Sequence, residues 1–478
     1  QNILNEEYAD PSNYPDYVQY SLEYALTVKK PDGTEVNYSK EMLKLYFQNE
    51  DSSFDLLFDS QDEAQTYVDR YKADILSDGS TVVAERVNFI PQPQSAMTVI
   101  DQHTGYVKAI IGGRGEKTAS LTLNRATDST RQPGSTFKVI TSFAPAIDTC
   151  GATLGSVYYD GPYTMGTKTF RNWYSSKGYM GYSTIRDGIV YSMNIVAVRC
   201  MIETVTPQLG VEYARNLGIT SLTDTDYNAS TALGGITKGV SNLELTNAFA
   251  AIANGGIYTK PVFFTQILDH NGKVLLENAP ETKRVLKDST AFLLTDAMSQ
   301  SMESSRMFAS SGVSLNSTSA AANIPGMSNA GKSGTTTNNS DIWFVGFTPY
   351  DTAGIWSGCD DNQKISAIGS STSYHKKIWK AIMTKIHEGL ADTGFPVPSS
   401  VTTAQICRKS GKLAIPGVCE NDPRGNAVYT EYFAKGTVPT EVCDHHVQLT
   451  VCRESGGLPT EFCPDSERIT RTFMVIPE

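Results

Sequence analysis

The chain has 478 residues, an ordinary apolar content of 40%, and 40 basic against 51 acidic side chains, a net charge of −11. Its length exceeds what one hydrophobic core serves and predicts two or three domains, while the apolar content excludes a disordered chain. No apolar run nears the ~20 residues of a membrane helix, Gln1 opens no signal-peptide pattern, and no basic tract offers affinity for nucleic acid.

Residues 1–92 read as an acidic, mixed region with an amphipathic helix from Ser60 to Leu76. Pro91, Pro93 and Ser95 then mark a boundary. Ala96–Ile100 and Tyr106–Ile111, joined at His103-Thr104-Gly105, predict a hairpin. From Gly134 to Gly218 the pattern is mostly helical, and Ser241–Asn254 is a helix ended by Gly255-Gly256. Strand character returns at Asp341–Phe347 and Ala353–Ser357. Strand pairs at both ends with helices between them predict an α+β fold, an antiparallel sheet flanked by helices. The organisation is then 1–92 as an N-terminal linker region, 93–395 as the main domain, and 396–478 as small modules behind the linker Phe395–Ser400.

The last segment holds a near-repeat. Cys407-Arg408-Lys409-Ser410-Gly411-Lys412-Leu413 recurs as Cys452-Arg453-Glu454-Ser455-Gly456-Gly457-Leu458, and Cys419 and Cys463 follow at nearly equal distance. Two modules, each closed by one disulfide with Cys443 left over, is the simplest expectation for a chain outside the cytosol; free buried thiols are the alternative. Cys443-Asp444-His445-His446 matches no usual zinc spacing, so no metal site is assigned.

Three short motifs carry the chemistry. In Pro133-Gly134-Ser135-Thr136-Phe137-Lys138, Ser135 is expected at a helix N-terminus, where free N–H groups favour a developing oxyanion. Lys138, three residues on, lies on the same helix face and could activate the hydroxyl if burial or a second cation lowers its pKa. Ser192-Met193-Asn194 offers a proton-relaying hydroxyl and a substrate-binding amide from a loop, and Lys332-Ser333-Gly334-Thr335 runs into a strand. Each motif alone is weak. In this order, S-x-x-K, S-x-N and K-[ST]-G form the signature set of penicillin-binding proteins and serine β-lactamases.

Two decoys are set aside. Gly326–Ser333 fits the P-loop pattern, but its flanks lack the strand before and helix after that a phosphate loop requires. The six histidines form no evident Ser-His-Asp set. Trp173, Tyr174 and Tyr179 read as core or loop packing, with lining of the cleft as the alternative.

The stretch Asn124-Arg125-Ala126-Thr127 through Arg131-Gln132-Pro133-Gly134-Ser135-Thr136-Phe137-Lys138 resembles the nucleophile region of class A penicillin-binding proteins. Leu233-Gly234-Gly235, Ala253-Asn254-Gly255-Gly256 and Asp341…Trp343-Phe344-Val345-Gly346 are similar to that family as well, in collinear order over roughly 93–395. The resemblance implies a peptidoglycan D,D-transpeptidase with Ser135 as acylated nucleophile and Lys138 as its base. Ser192 would relay a proton, Asn194 would bind a substrate carbonyl, and Lys332 would keep the site positive. Ser333, Gly334, Thr335 and Thr337 would line the substrate strand, with Thr335 and Thr337 on one face of it. The implied partners are stem peptides ending in D-Ala-D-Ala, an amine acceptor and β-lactams. No cofactor is implied, and the family resemblance implies an extracytoplasmic protein held by a membrane anchor lying outside this sequence. Glu50-Asp51-Ser52-Ser53-Phe54 matches part of the family's glycosyltransferase motif without the following His, and 1–92 is expected to be the linker left beyond that domain. The alternatives are a D,D-carboxypeptidase or β-lactamase-like hydrolase, and a non-catalytic β-lactam sensor.

Overall fold

The computed structural model describes residues 1–10, 19–117, 120–308, 312–365 and 373–475. At its centre lies a five-stranded antiparallel sheet in the order Ala330–Thr335, Asp341–Phe347, Asp351–Gly358, Gln94–Asp101, Val107–Ile111. The predicted hairpin forms its far edge, where Met97 pairs with Ile111 and Val99 with Ala109. The chain leaves the sheet after that hairpin, builds the helical part, and returns for three consecutive strands. The long excursion is what brings the Ser135, Ser192 and Lys332 motifs to one place.

Side-chain alternation explains the layering. Ile342 and Phe344 point to one face and pack with Ile378, Trp379, Ile382 and Met383 of the helix Tyr374–Ile386 and with Leu4 of Asn2–Ala9. Trp343, Val345 and Phe347 point to the other, among Leu245, Ala248 and Phe249 of the helix Asn242–Ala253 and Leu294 and Met298 of Asp288–Met302. Both faces are covered, so the strand Asp341–Phe347 is buried along its whole length and, after Asp341, reads as a nearly continuous apolar run. Ser241 caps Asn242–Ala253 in a capping box with Glu244.

Residues 19–92 are more ordered than a linker. Gln19–Lys29 pairs with Glu35–Ser39, Leu57–Phe58 and Thr81–Gln92. Leu22, Tyr24, Leu26 and Val28 alternate inward against Leu43, Phe47, Val68 and Tyr71. The expected helix is Gln61–Leu76, with the Ser60 side chain accepting from the Glu63 N–H.

The C-terminal near-repeat is a structural repeat. Val401–Cys407 pairs with Val428–Ala434, and His446–Cys452 pairs with Arg468–Met474. Cys407 N donates to Lys412 O and Gly411 N to Cys407 O, both at 2.8 Å; Cys452 N to Gly457 O and Gly456 N to Cys452 O repeat those bonds at 2.8 Å. All eight cysteines are free thiols, so the expected Cys407–Cys419 and Cys452–Cys463 disulfides are not formed. Among the described residues no helix is long and apolar enough to cross a membrane.

Candidate active site

The nucleophile motif forms a tight 3-10 turn, Gly134–Thr136, rather than the start of a regular helix. Lys138 opens a π-helical stretch, Lys138–Phe143, a widened turn that recurs at functional sites. Three glycines let backbones crowd around Ser135. Gly134 has φ +55°, and an added Cβ there would lie 2.9 Å from Thr335 N. A Cβ on Gly334 would lie 2.4 Å from Pro133 O, and one on Gly234 would lie 2.4 Å from Gly134 O. The edge strand Ala330–Thr335 is thereby pressed against the serine turn, with Thr335 N beside it.

Ser192 sits between the short helices Ile185–Val190 and Asn194–Arg199 with φ +54°, a backbone state that a non-glycine residue holds only where its surroundings impose it. Its Oγ lies 3.2 Å from Lys138 Nζ and 2.8 Å from Lys332 Nζ. Lys138 Nζ also donates to Ser192 O at 2.7 Å and to Asn194 Oδ1 at 2.6 Å. Lys332 Nζ donates to Ser333 O at 3.1 Å. The structure thus brings Lys138, Ser192, Asn194 and Lys332 into one hydrogen-bonded cluster, with Ser135 three residues before Lys138.

Both lysines are wholly buried, and no carboxylate hydrogen-bonds to this cluster among the described residues. Burial, then the neighbouring Lys332, hold the Lys138 pKa well below its ordinary value. Lys332 is itself brought down to about 7 by burial and then by Lys376. Lys376, whose Nζ donates to Thr318 O at 2.8 Å, is brought down to about 8 by burial. An uncharged Lys138 has two N–H bonds and one lone pair. Ser192 O and Asn194 Oδ1 take the N–H groups, which leaves the lone pair for a hydroxyl proton.

Some expectations need correction. The strand ends at Thr335, and Thr337 lies in the turn that leads to Asp341–Phe347, so Thr335 and Thr337 do not share a strand face. The turn is closed by Asn339 N donating to Thr336 O, with Asn339 at φ +55°. Lys332 and Ser333 of the P-loop-like pattern lie in a strand paired with Val345 and Phe344, which leaves no phosphate loop. Trp173 is 54% exposed with Nε1 donating to Tyr191 O at 3.1 Å beside Ser192, whereas Tyr174 is core and donates to Asp160.

Sequence reasoning missed Asn172 and Lys376. Asn172 Oδ1 accepts from Asn194 N at 2.8 Å, and Asn194 Nδ2 donates to Arg171 O at 2.7 Å, so the loop Arg171–Trp173 fixes the Asn194 amide and leaves it one N–H. Neither residue belongs to a local pattern; only the fold brings them in.

Comparison with known proteins gives the family and the fold. Residues 95–384 match the family described as penicillin binding protein transpeptidase domain, and residues 397–448 match the penicillin-binding protein 1A C-terminal domain. A Clostridium botulinum protein named penicillin-binding protein 1A is 31% identical over 97% of this chain and 55% of its own length. Among solved structures, penicillin-binding protein 1A from Haemophilus influenzae has a TM-score of 0.62 at 24% identity, over 75% of this chain and 56% of that one. The PonA1 protein from Mycobacterium tuberculosis, solved in complex with penicillin V, has a TM-score of 0.55 at 24% identity, over 69% of this chain and 85% of that one. These two likenesses establish the fold. The chain belongs to the penicillin-binding protein transpeptidase family, as the transpeptidase part of a class A member. It spans about half the length of the curated relatives it matches.

Proposed function

We propose that this chain cross-links peptidoglycan stem peptides through an acyl-enzyme on Ser135. The observation that carries the reading is the wholly buried Lys138, hydrogen-bonded to Ser192 and Asn194 beside the serine turn, with its pKa lowered well below the ordinary value by burial and then by Lys332.

Ser135 Oγ attacks the carbonyl between the two terminal D-alanines and its proton passes to the Lys138 lone pair. The N–H groups of Ser135 and Thr335 hold the oxyanion. Collapse breaks the C–N bond, and the proton moves from Lys138 through Ser192 Oγ to the leaving D-alanine amine, a path supported by the 3.2 Å separation. The free N–H of Asn194 holds the donor-peptide carbonyl. Ser333 and Thr335 bind the terminal carboxylate, Lys332 keeps the site positive, and Gly334 admits the substrate backbone. An amine of a neighbouring stem then attacks the ester, forms the cross-link and restores Ser135. β-Lactams imitate the D-Ala-D-Ala amide and stop at the ester. A hydrolase must activate water, commonly with a carboxylate, and among the described residues none is hydrogen-bonded to the lysine cluster, which favours transfer. The work is placed outside the cytoplasmic membrane, with the full-length protein anchored to it.

The test is an activated D-alanyl thioester donor offered with and without a D-amino-acid acceptor. Aminolysis product that exceeds hydrolysis product supports the transferase. Hydrolysis unchanged by acceptor would make the chain a carboxypeptidase.

A further inference from the structure

The C-terminal segment holds a second cluster of reactive side chains, none of which belongs to the hydrogen-bonded cluster beside Ser135. Cys407, Cys419, Cys443 and His446 are all buried, and one ligand atom from each lies within 4.8 Å of every other. His446 Nδ1 stands 3.3 Å from Cys443 Sγ and 3.5 Å from Cys407 Sγ. Cys419 Sγ accepts the Ile415 N–H at 3.3 Å, the kind of bond that supports a thiolate. In a tetrahedron with zinc–sulfur bonds of ~2.3 Å, neighbouring sulfurs stand about 3.8 Å apart, so these four atoms need only a small contraction to reach one ion.

The imidazole settles which nitrogen faces the centre. Asp422 is buried and paired with Arg424, whose Nε donates to it at 2.8 Å, so its carboxylate only accepts. His446 Nε2 therefore donates to Asp422 Oδ2 at 2.7 Å, which leaves the Nδ1 lone pair pointing at the sulfurs. A carboxylate behind an imidazole, fixing its tautomer and orientation, is the support that metal-bound histidines use.

A disulfide accounts for this cluster poorly. It would join two sulfurs and strand the third with the imidazole in a small core otherwise made of Ala414, Ile415, Ala427 and Val428. One divalent cation uses all four. The earlier assignment of no metal rested on Cys443 to His446 read alone; the partners come from the hairpin turn at Cys407 and from the 3-10 turn Cys419–Asn421.

We propose that Cys407, Cys419, Cys443 and His446 form a structural Cys3His zinc site that closes the first C-terminal module. Its four ligands come entirely from protein, so the site is closed and has no open catalytic position. The core it closes is too small to be stable on apolar burial alone, which is the setting in which proteins use a metal. Cys452 and Cys463 of the second module lie outside the cluster and are not ligands.

The full 478-residue chain, purified with zinc in the medium and no chelator, is examined by elemental analysis and native mass spectrometry. The expected result is one zinc per chain, lost in Cys443→Ser and in His446→Ala and retained in Cys452→Ser. Because a ligand variant could misfold, cobalt(II) is also exchanged into the wild type, where the intense thiolate-to-cobalt absorption of a tetrahedral site is expected. A metal-free wild type with a disulfide among Cys407, Cys419 and Cys443, absent cobalt absorption, or zinc content unchanged in both ligand variants would each overturn the proposal.

Discussion

The cleft and the C-terminal module handle buried polar chemistry in opposite ways. In the cleft, Lys138 and Lys332 are buried with no carboxylate partner among the described residues, so they are pushed toward the neutral amine that a base needs. In the module, the buried reactive groups face one another and are supported by the Asp422–Arg424 pair. The first arrangement is costly and is held by a large core on both sheet faces; the second has almost no core and relies on its polar cluster. Isolation of charge produces reactivity, whereas convergence of ligands produces cohesion. The two regions are also joined. Arg408, next to Cys407, forms an ion pair with Asp187, a buried residue of the helix Ile185–Val190 that leads to Ser192. Arg186 on the same helix pairs with buried Glu431.

The largest test of this contrast is Lys138→Met, which removes the base and keeps the bulk. Acylation by penicillin should fall on the order of 10²–10⁴-fold, with the fold unchanged by circular dichroism. Loss below tenfold would mean that another group takes the proton.

Arg408→Ala should leave the buried Asp187 without its hydrogen-bonded cation, held by the Thr184 N–H and the nearby Lys409, and cost up to about 3 kcal/mol, read as a lower denaturation midpoint. Its effect on acylation should be far smaller than that of Lys138→Met. An unchanged midpoint would show that the module does not brace the cleft.

The pH profile sharpens the electrostatic half. Acylation should rise with pH as Lys138 loses its proton, and carboxylate recognition should weaken as Lys332 deprotonates near pH 7. Lys376→Met removes a neighbouring positive charge and raises the Lys332 pKa, so the alkaline limb moves to higher pH with little change in maximal rate. A profile that stays in place would show that the two lysines are not coupled. The smallest effect expected on acylation is that of zinc removal, which should lower the melting temperature while Ser135 still reacts.

Legibility in the sequence followed the range of the cause. The helices that begin at Ser60 and Ser241, the Gly105 hairpin and the strand Asp341–Phe347 are local patterns, and all were readable. The sheet around Gln19–Lys29 was not, because its inward Leu22, Tyr24, Leu26 and Val28 alternate with residues of no clear polarity and its long partner, Thr81–Gln92, lies more than fifty positions away. The S-x-x-K, S-x-N and K-[ST]-G motifs named the cleft because each is short and their order is diagnostic. Thr337 was misplaced because nothing in Thr335-Thr336-Thr337 marks where pairing with Ile342 stops. Asn172, Lys376 and the His446 cluster stayed hidden for one reason: their partners are distant in sequence, and their spacing carries no period.

The most direct test of the central claim is intact mass and peptide mapping after incubation with a penicillin, on the wild type and on Ser135→Ala. The account predicts one slowly decaying penicilloyl group on the peptide containing Ser135 and none on the variant. An adduct on another residue, or one retained by Ser135→Ala, would contradict it.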